Sequence, residues 1–274
     1  MFPALLLTLA AANAPRIDVA FALDTTGSMG DEIDVVKEKI VDIARNISAG
    51  QPRPDVRFAI VAYRDRGDAY VTRAFPFSRE IAEVQKTLRS LSAEGGGDEP
   101  EAVAEGLYAT VRELQWDFSK DTARMIFLIG DAGPQQYRDG KDWRKVTSEA
   151  AEKGITVSVI GCSGLTPAGE RVFEKIAKMA DGEMMHLTYT RVARAADGRK
   201  YSVLSKGRRT WVADRELSES EWKRGADALA KEGKVKAAAA PPPAAMVDAP
   251  AMNNLDAEIA SGVRAKAEKL GVSY

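Results

Sequence analysis

Ile17-Asp-Val-Ala-Phe-Ala-Leu-Asp24-Thr-Thr26-Gly-Ser28-Met-Gly30 is an apolar run that ends in an acid, continues through hydroxyl residues at alternate positions, and reaches a glycine where a helical pattern begins. Read physically, it is a buried strand, a turn rich in oxygen donors and a helix start. Hard cations need such donors. Mg²⁺ takes oxygen ligands in near-octahedral geometry at about 2.0–2.1 Å and keeps several waters, so a few carboxylates and hydroxyls hold it. Asp24, Thr26 and Ser28 fit that need. Residues spaced by two in a turn can point to one locus, and the polar mouth at the carboxyl ends of parallel strands tolerates charge that the sheet interior does not.

Two later segments can reach the same mouth. Ala123-Arg-Met-Ile-Phe-Leu-Ile-Gly130-Asp131 repeats the apolar strand ending in an acid, and Gly95-Gly-Gly-Asp98-Glu99-Pro100-Glu101 sets carboxylates before a helical stretch. Together the three pieces resemble the von Willebrand factor type A family and its metal-ion-dependent adhesion site. The wording Asp-Thr-Thr-Gly-Ser-Met, Tyr63-Arg-Asp-Arg, Gly-Gly-Gly-Asp-Glu-Pro-Glu-Ala and His186-Leu is most similar to the branch that includes hemicentin and a domain attached to some alpha-kinases. The likeness covers residues 16–188.

The resemblance implies a Rossmann-like fold in which Asp24, Thr26, Ser28 and Asp131 bind Mg²⁺, or Mn²⁺ or Ca²⁺, directly or through water. It implies a protein partner whose acidic group completes the coordination. By position alone, the loop residues around Met29, 63–66 and 134–137 would frame the ion, and Met29 reads equally as a core residue. Family members commonly have threonine where this chain offers Asp98. A directly bound Asp98 lowers the ion's appetite for a partner's carboxylate, or shifts ion choice toward Ca²⁺ or Mn²⁺.

Other readings of the same residues stay open. Asp24 and Asp131 can cap the helices that follow, and Glu99 and Glu101 read first as acids favoured at a helix start beside Pro100. Capping asks for neither Thr26 nor Ser28. A phosphoaspartyl hydrolase would use Asp24 as nucleophile and need Lys141 or Lys120 at the mouth to steady the phosphoryl group. A scaffold with no metal dependence is the third reading. The expectation is a binding module and not an enzyme.

The 274 residues, 45% of them hydrophobic, suffice for one α/β core and appendages. A net charge of −1 gives no electrostatic footprint for nucleic acid. One cysteine, Cys162, excludes an internal disulfide and a cysteine zinc site, and reads as a small buried hydrophobe. His186, the single histidine, reads as a satisfied residue at a strand end. Residues 2–14 form an apolar stretch too short to span a bilayer, and 1–14 is read as a cleaved signal that sends the protein to the periplasm or outside the cell. No transmembrane span is expected.

Along the chain, Ile33, Val36, Ile40, Ile43 and Ile47 mark an amphipathic helix over 30–48. Strands are predicted at 55–64, 70–75, 123–131, 155–161 and 183–187, and helices at 79–91, 99–116, 142–153 and 167–180. This alternation predicts a doubly wound, mostly parallel six-stranded α/β sheet with helices on both faces and right-handed crossovers. The strands ending at Asp24 and Asp131 should flank the switch point.

Residues 189–236 read as an appendage with a basic hairpin over 199–212 and a helix starting at Ser218. Trp211 and Trp222 are expected to pack it onto the main domain, and its charge reads as a solvated face. Residues 237–250 are an Ala/Pro linker, extended or disordered. In 251–274, Leu255, Ile259, Val263, Ala267 and Leu270 trace one stripe on a short helix that docks on this domain or on another protein.

Overall fold

In the computed structural model the opening apolar run is an inner strand of a six-stranded sheet. The structure describes residues 14–96, 99–195, 197–206, 209–238, 245–246 and 252–274, so most of the expected signal segment and linker, and Asp98, lie outside the described residues. The strands are β1 (Arg16–Asp24), β2 (Asp55–Tyr63), β3 (Thr72–Ser78), β4 (Thr122–Gly130), β5 (Ile155–Gly161) and β6 (Met184–His186). The helices between them are α1 (Gly30–Ile47), α2 (Ile81–Arg89), α3 (Val103–Arg112), α4 (Trp143–Glu152) and α5 (Pro167–Met179).

The sheet order is β3-β2-β1-β4-β5-β6, with β3 the antiparallel edge. β1 runs parallel to both neighbours, Ala22 lying beside Val61 and Leu128. Side chains alternate across a strand. Ile17, Val19, Phe21 and Leu23 therefore join the core under α1, whereas Ala20 and Ala22 face α3, α4 and α5. All five residues of the predicted α1 stripe are buried in the first core. The direction of winding reverses between β1 and β4. A crevice opens there at their carboxyl ends, and Asp24 and Asp131 stand at it.

Helix α3 starts at Val103 and not at 99, because the chain before it pairs with Pro134 through Glu101. Beyond β6 the chain builds more than a hairpin. A second, antiparallel sheet contains β7 (Thr188–Arg194), β8 (Lys200–Lys206), β9 (Arg209–Val212), β10 (Lys236–Ala238) and β11 (Ala245–Met246), in the order β10-β9-β8-β7-β11, with β12 (Met252–Asn253) also on β7. The helix expected from Ser218 begins with a capping box but breaks at Gly225, whose φ is +82°. It becomes α6 (Glu219–Trp222) and α7 (Ala226–Lys231). Trp211 and Trp222 do not pack this unit onto the main domain; they fill its own core with Leu204, Leu217 and Leu229.

The C-terminal stripe docks within the chain. Helix α8 (Leu255–Glu268) lies on α1 and β4, with Ile259, Val263 and Ala267 fully buried in the first core and Gly262 against Phe127. Beyond it, Ser273 and Gln51 exchange backbone hydrogen bonds of 2.7 Å. Among the described residues no helix is long and apolar enough to cross a membrane.

Candidate metal centre

The first loop is fixed by its neighbours before any ion is considered. Thr25 turns inward, its amide and hydroxyl donating to the Tyr63 carbonyl at 3.0 and 2.9 Å, with the Tyr70 hydroxyl 2.8 Å away. Thr26 therefore turns to the mouth. Its amide and Oγ1 donate to Asp24 Oδ1 at 2.9 and 2.7 Å, and Ser28 Oγ lies 3.2 Å from Thr26 Oγ1. Asp24 and Thr26 are fully buried, whereas Ser28 is exposed at the opening. Of the two readings of Met29, framing residue or core, the structure has the second: it is fully buried in the core.

β4 delivers Asp131 beside this loop. Asp131 is 1% exposed, with the Ser28 hydroxyl near enough to favour its charged form. The glycine before it is a steric demand: a β-carbon at position 130 would lie 2.5 Å from Tyr63 Oη and 3.1 Å from Asp24 Oδ2. The structure thus brings Asp24, Thr26, Ser28 and Asp131 to one mouth.

The glycine-rich loop closes from the third side. Gly27 donates to the Gly95 carbonyl at 3.0 Å, and the Gly96 amide donates to both oxygens of Asp68 at 3.1 Å. Gly96 has φ +65°, and a β-carbon there would come within 2.8 Å of Thr26 Cβ. Glu101, downstream on this loop, does not cap a helix as the sequence suggested. Its amide bonds the Gly133 carbonyl, its carbonyl receives the Gln135 amide, and its side chain is 2% exposed. The same space at Gly96 is bounded by Glu101 Oε1, which sets this carboxylate next to Thr26.

The electrostatics follow from burial. Burial and then the Asp131 charge push Asp24 up from 3.8 to about 7. Burial raises Asp131 to about 6 against the opposing influence of the nearby Ser28 hydroxyl. Glu101 rises to about 8 through burial and then the charges of Asp24, Asp65, Asp131 and Asp68. Asp24 Oδ2, Asp131 Oδ1 and Glu101 Oε2 are buried without a hydrogen-bond partner. Native interiors rarely leave such atoms orphaned, and a cation satisfies several together. Among the described residues no three His, Cys, Asp or Glu side chains stand at metal-binding separation, so an ion held here would need hydroxyls and water as well. The donor set of carboxylates and hydroxyls fits a hard cation.

The groups invoked by other readings have other neighbours. Lys141 Nζ sits 4.0 Å over the Tyr108 ring, and Lys120 precedes the opposite end of β4, about nine strand residues or roughly 30 Å from Asp131. His186 Nε2 is 3.1 Å from Glu170, and Cys162 is fully buried.

Comparison with known proteins agrees with this geometry. A family model described as von Willebrand factor A domain matches residues 18–204. Human hemicentin-1 is 28% identical over 169 residues, which are 62% of this chain and 3% of hemicentin-1. Alpha-protein kinase vwkA of Dictyostelium discoideum is 30% identical over 118 residues, 42% of this chain and 18% of the kinase. The chain thus corresponds to a small part of either relative. The proximal thread matrix protein 1 of the mussel byssus, solved with a zinc-occupied MIDAS motif, shares the fold at a TM-score of 0.50 and 18% identity, over 63% of this chain and 42% of that one. With the sheet order, the three-loop mouth and a family model spanning about two thirds of its length, the chain belongs to the von Willebrand factor A domain family, a family of protein-interaction modules.

Proposed function

We propose that the protein binds a partner protein through a divalent cation held by Asp24, Thr26, Ser28 and Asp131, with Asp98 and Glu101 as further oxygen donors from the second loop. The ion is Mg²⁺, or Mn²⁺ or Ca²⁺ in its place, since hard oxygen donors suit all three. It supplies a Lewis-acidic position at the opening. Thr26 and Ser28 contribute neutral oxygens, and with Asp98 and Glu101 reaching the ion through water it keeps positive charge for an acidic group of the partner.

The observation that carries this reading is the set of buried, unpartnered carboxylate oxygens on Asp24, Asp131 and Glu101 around two hydroxyls. A fold that needed those acids only as helix caps would have used their oxygens on backbone amides. Neither a phosphoryl-transfer centre nor a metal-independent scaffold has an observation of its own in its favour.

The test is affinity capture and titration calorimetry with native protein and Ser28→Ala, each with Mg²⁺ and with chelator. Retention of partners only with the ion and only by the native protein is expected. Equal retention in all four conditions would replace this reading with the scaffold.

A further inference from the structure

Glu32 is a buried acid that the metal centre does not account for. It stands in the first turn of α1, where an acid ordinarily serves the helix's own N–H groups. Both its oxygens instead accept from the Ser163 amide, at 2.9 and 3.2 Å, and the Ser163 hydroxyl donates to Glu32 Oε1 as well. Glu32 is 1% exposed. A carboxylate so placed is held there by a structural demand.

That demand lies in what Ser163 touches. The loop after β5 packs behind Asp131: the Cys162 amide donates to the Gly130 carbonyl at 2.9 Å, and a β-carbon on Gly164 would sit 3.6 Å from Asp131 Oδ2. Glu32 itself lies four residues beyond Ser28 on the helix that Ser28 leads into. One carboxylate therefore ties the segment carrying Ser28 to the loop backing Asp131. The tie continues outward. Ser163 Oγ is 3.4 Å from the Tyr189 hydroxyl, on the first strand of the second sheet, and Tyr189 stands opposite Ser205 where β7 pairs with β8.

We propose that Glu32, Ser163 and Tyr189 form a brace that positions Ser28 and Asp131 for the ion, making the second sheet part of the support of the metal centre. The inference rests on the cation-binding reading above. These are positioning residues: they reach the ion through the donors they hold, and Glu32 adds a negative charge within electrostatic range of Asp131. Groups of this kind change metal affinity by about 10–100-fold when altered.

The test measures Mn²⁺ affinity of the full chain by electron paramagnetic resonance, with melting temperatures taken in EDTA. Glu32→Gln keeps the shape and removes the charge; about tenfold weaker Mn²⁺ binding is expected. In EDTA the same variant should melt at or above the native protein, because a buried charge has been removed. Ser163→Ala should weaken Mn²⁺ similarly, Ser163→Thr should restore it, and Tyr189→Phe should cost about threefold. Native Mn²⁺ affinity in Glu32→Gln overturns the brace, as does a loss that merely follows a lower melting temperature in EDTA. Unchanged binding in Tyr189→Phe removes the second sheet from it. A native protein that binds no Mn²⁺ overturns the cation-binding reading and this inference together, which separates the two failures.

Discussion

Raising the pH of the ion-free protein should unfold it more easily. The folded state holds a proton on Asp24 up to about pH 7, against an ordinary 3.8 for an exposed aspartate. The fold therefore binds this proton more tightly than the unfolded chain does. The resulting stability is complete below about pH 4 and disappears as the pH rises through 7. Each tenfold change in proton affinity is worth about 1.4 kcal/mol, so Asp24 alone accounts for about 4 kcal/mol, of which roughly 3 kcal/mol falls between pH 5 and 8. Asp131 and Glu101 titrate with it as one coupled set and add to the trend without adding in full. At roughly 2–4 °C per kcal/mol for a domain of this size, the melting temperature in EDTA should fall by roughly 6–12 °C from pH 5 to 8. Saturating Mg²⁺ should reverse the fall at pH 8, by about 2.7 kcal/mol when the ion is at 100 times its Kd. Scanning calorimetry of native protein and Asp24→Asn, with and without EDTA, measures both effects. Asp24→Asn should flatten the EDTA curve and blunt the Mg²⁺ effect. A native EDTA curve that is flat or rises toward pH 8 would refute the reasoning.

Three further outcomes are expected. Glu101→Gln should stabilise the EDTA form at pH 8 by about 1–3 kcal/mol, since it removes a buried charge, while weakening Mg²⁺ binding in calorimetry. Gly96→Ala forces a side chain into a left-handed conformation against Thr26 and should lose about 1–3 kcal/mol in urea unfolding together with ion affinity. Ile259→Ala, at a fully buried position of α8, should lose about 2–5 kcal/mol in the same assay, and a loss under about 0.5 kcal/mol would show that α8 is not part of the core.

The sheet was legible because its strands are covered on both faces. The runs ending at Asp24, Tyr63, Gly130 and Gly161 are near-continuous apolar stretches, and the α1 stripe keeps helical spacing, so burial and period agree. The region after His186 was read less well for a physical reason. β7 carries Arg191 and Arg194 between Thr, Tyr and Val, a mixed pattern whose pairing depends on strands far along the chain. α6 and α7 read as one helix until Gly225 takes a positive φ. At the mouth, the residues on strand ends could be placed from spacing. Glu101 could not, because its burial depends on a backbone bridge to Pro134, a partner that sequence spacing near Glu101 does not reveal. For α8 the stripe announced a buried face but not its partner, since an apolar face has no direction of its own.

That helix also fixes an order of events during synthesis. The ribosome releases β1 more than 200 residues before α8, yet Phe127 and the α1 isoleucines share one interior with Ile259 and Val263. Until the later segment emerges, a nascent chain presents an oily groove beside the newly paired β4, the kind of surface that recruits chaperones or sticks to its neighbours. Nonsense mutations between β9 and α8 should therefore act through insolubility of the product, however complete its acidic mouth.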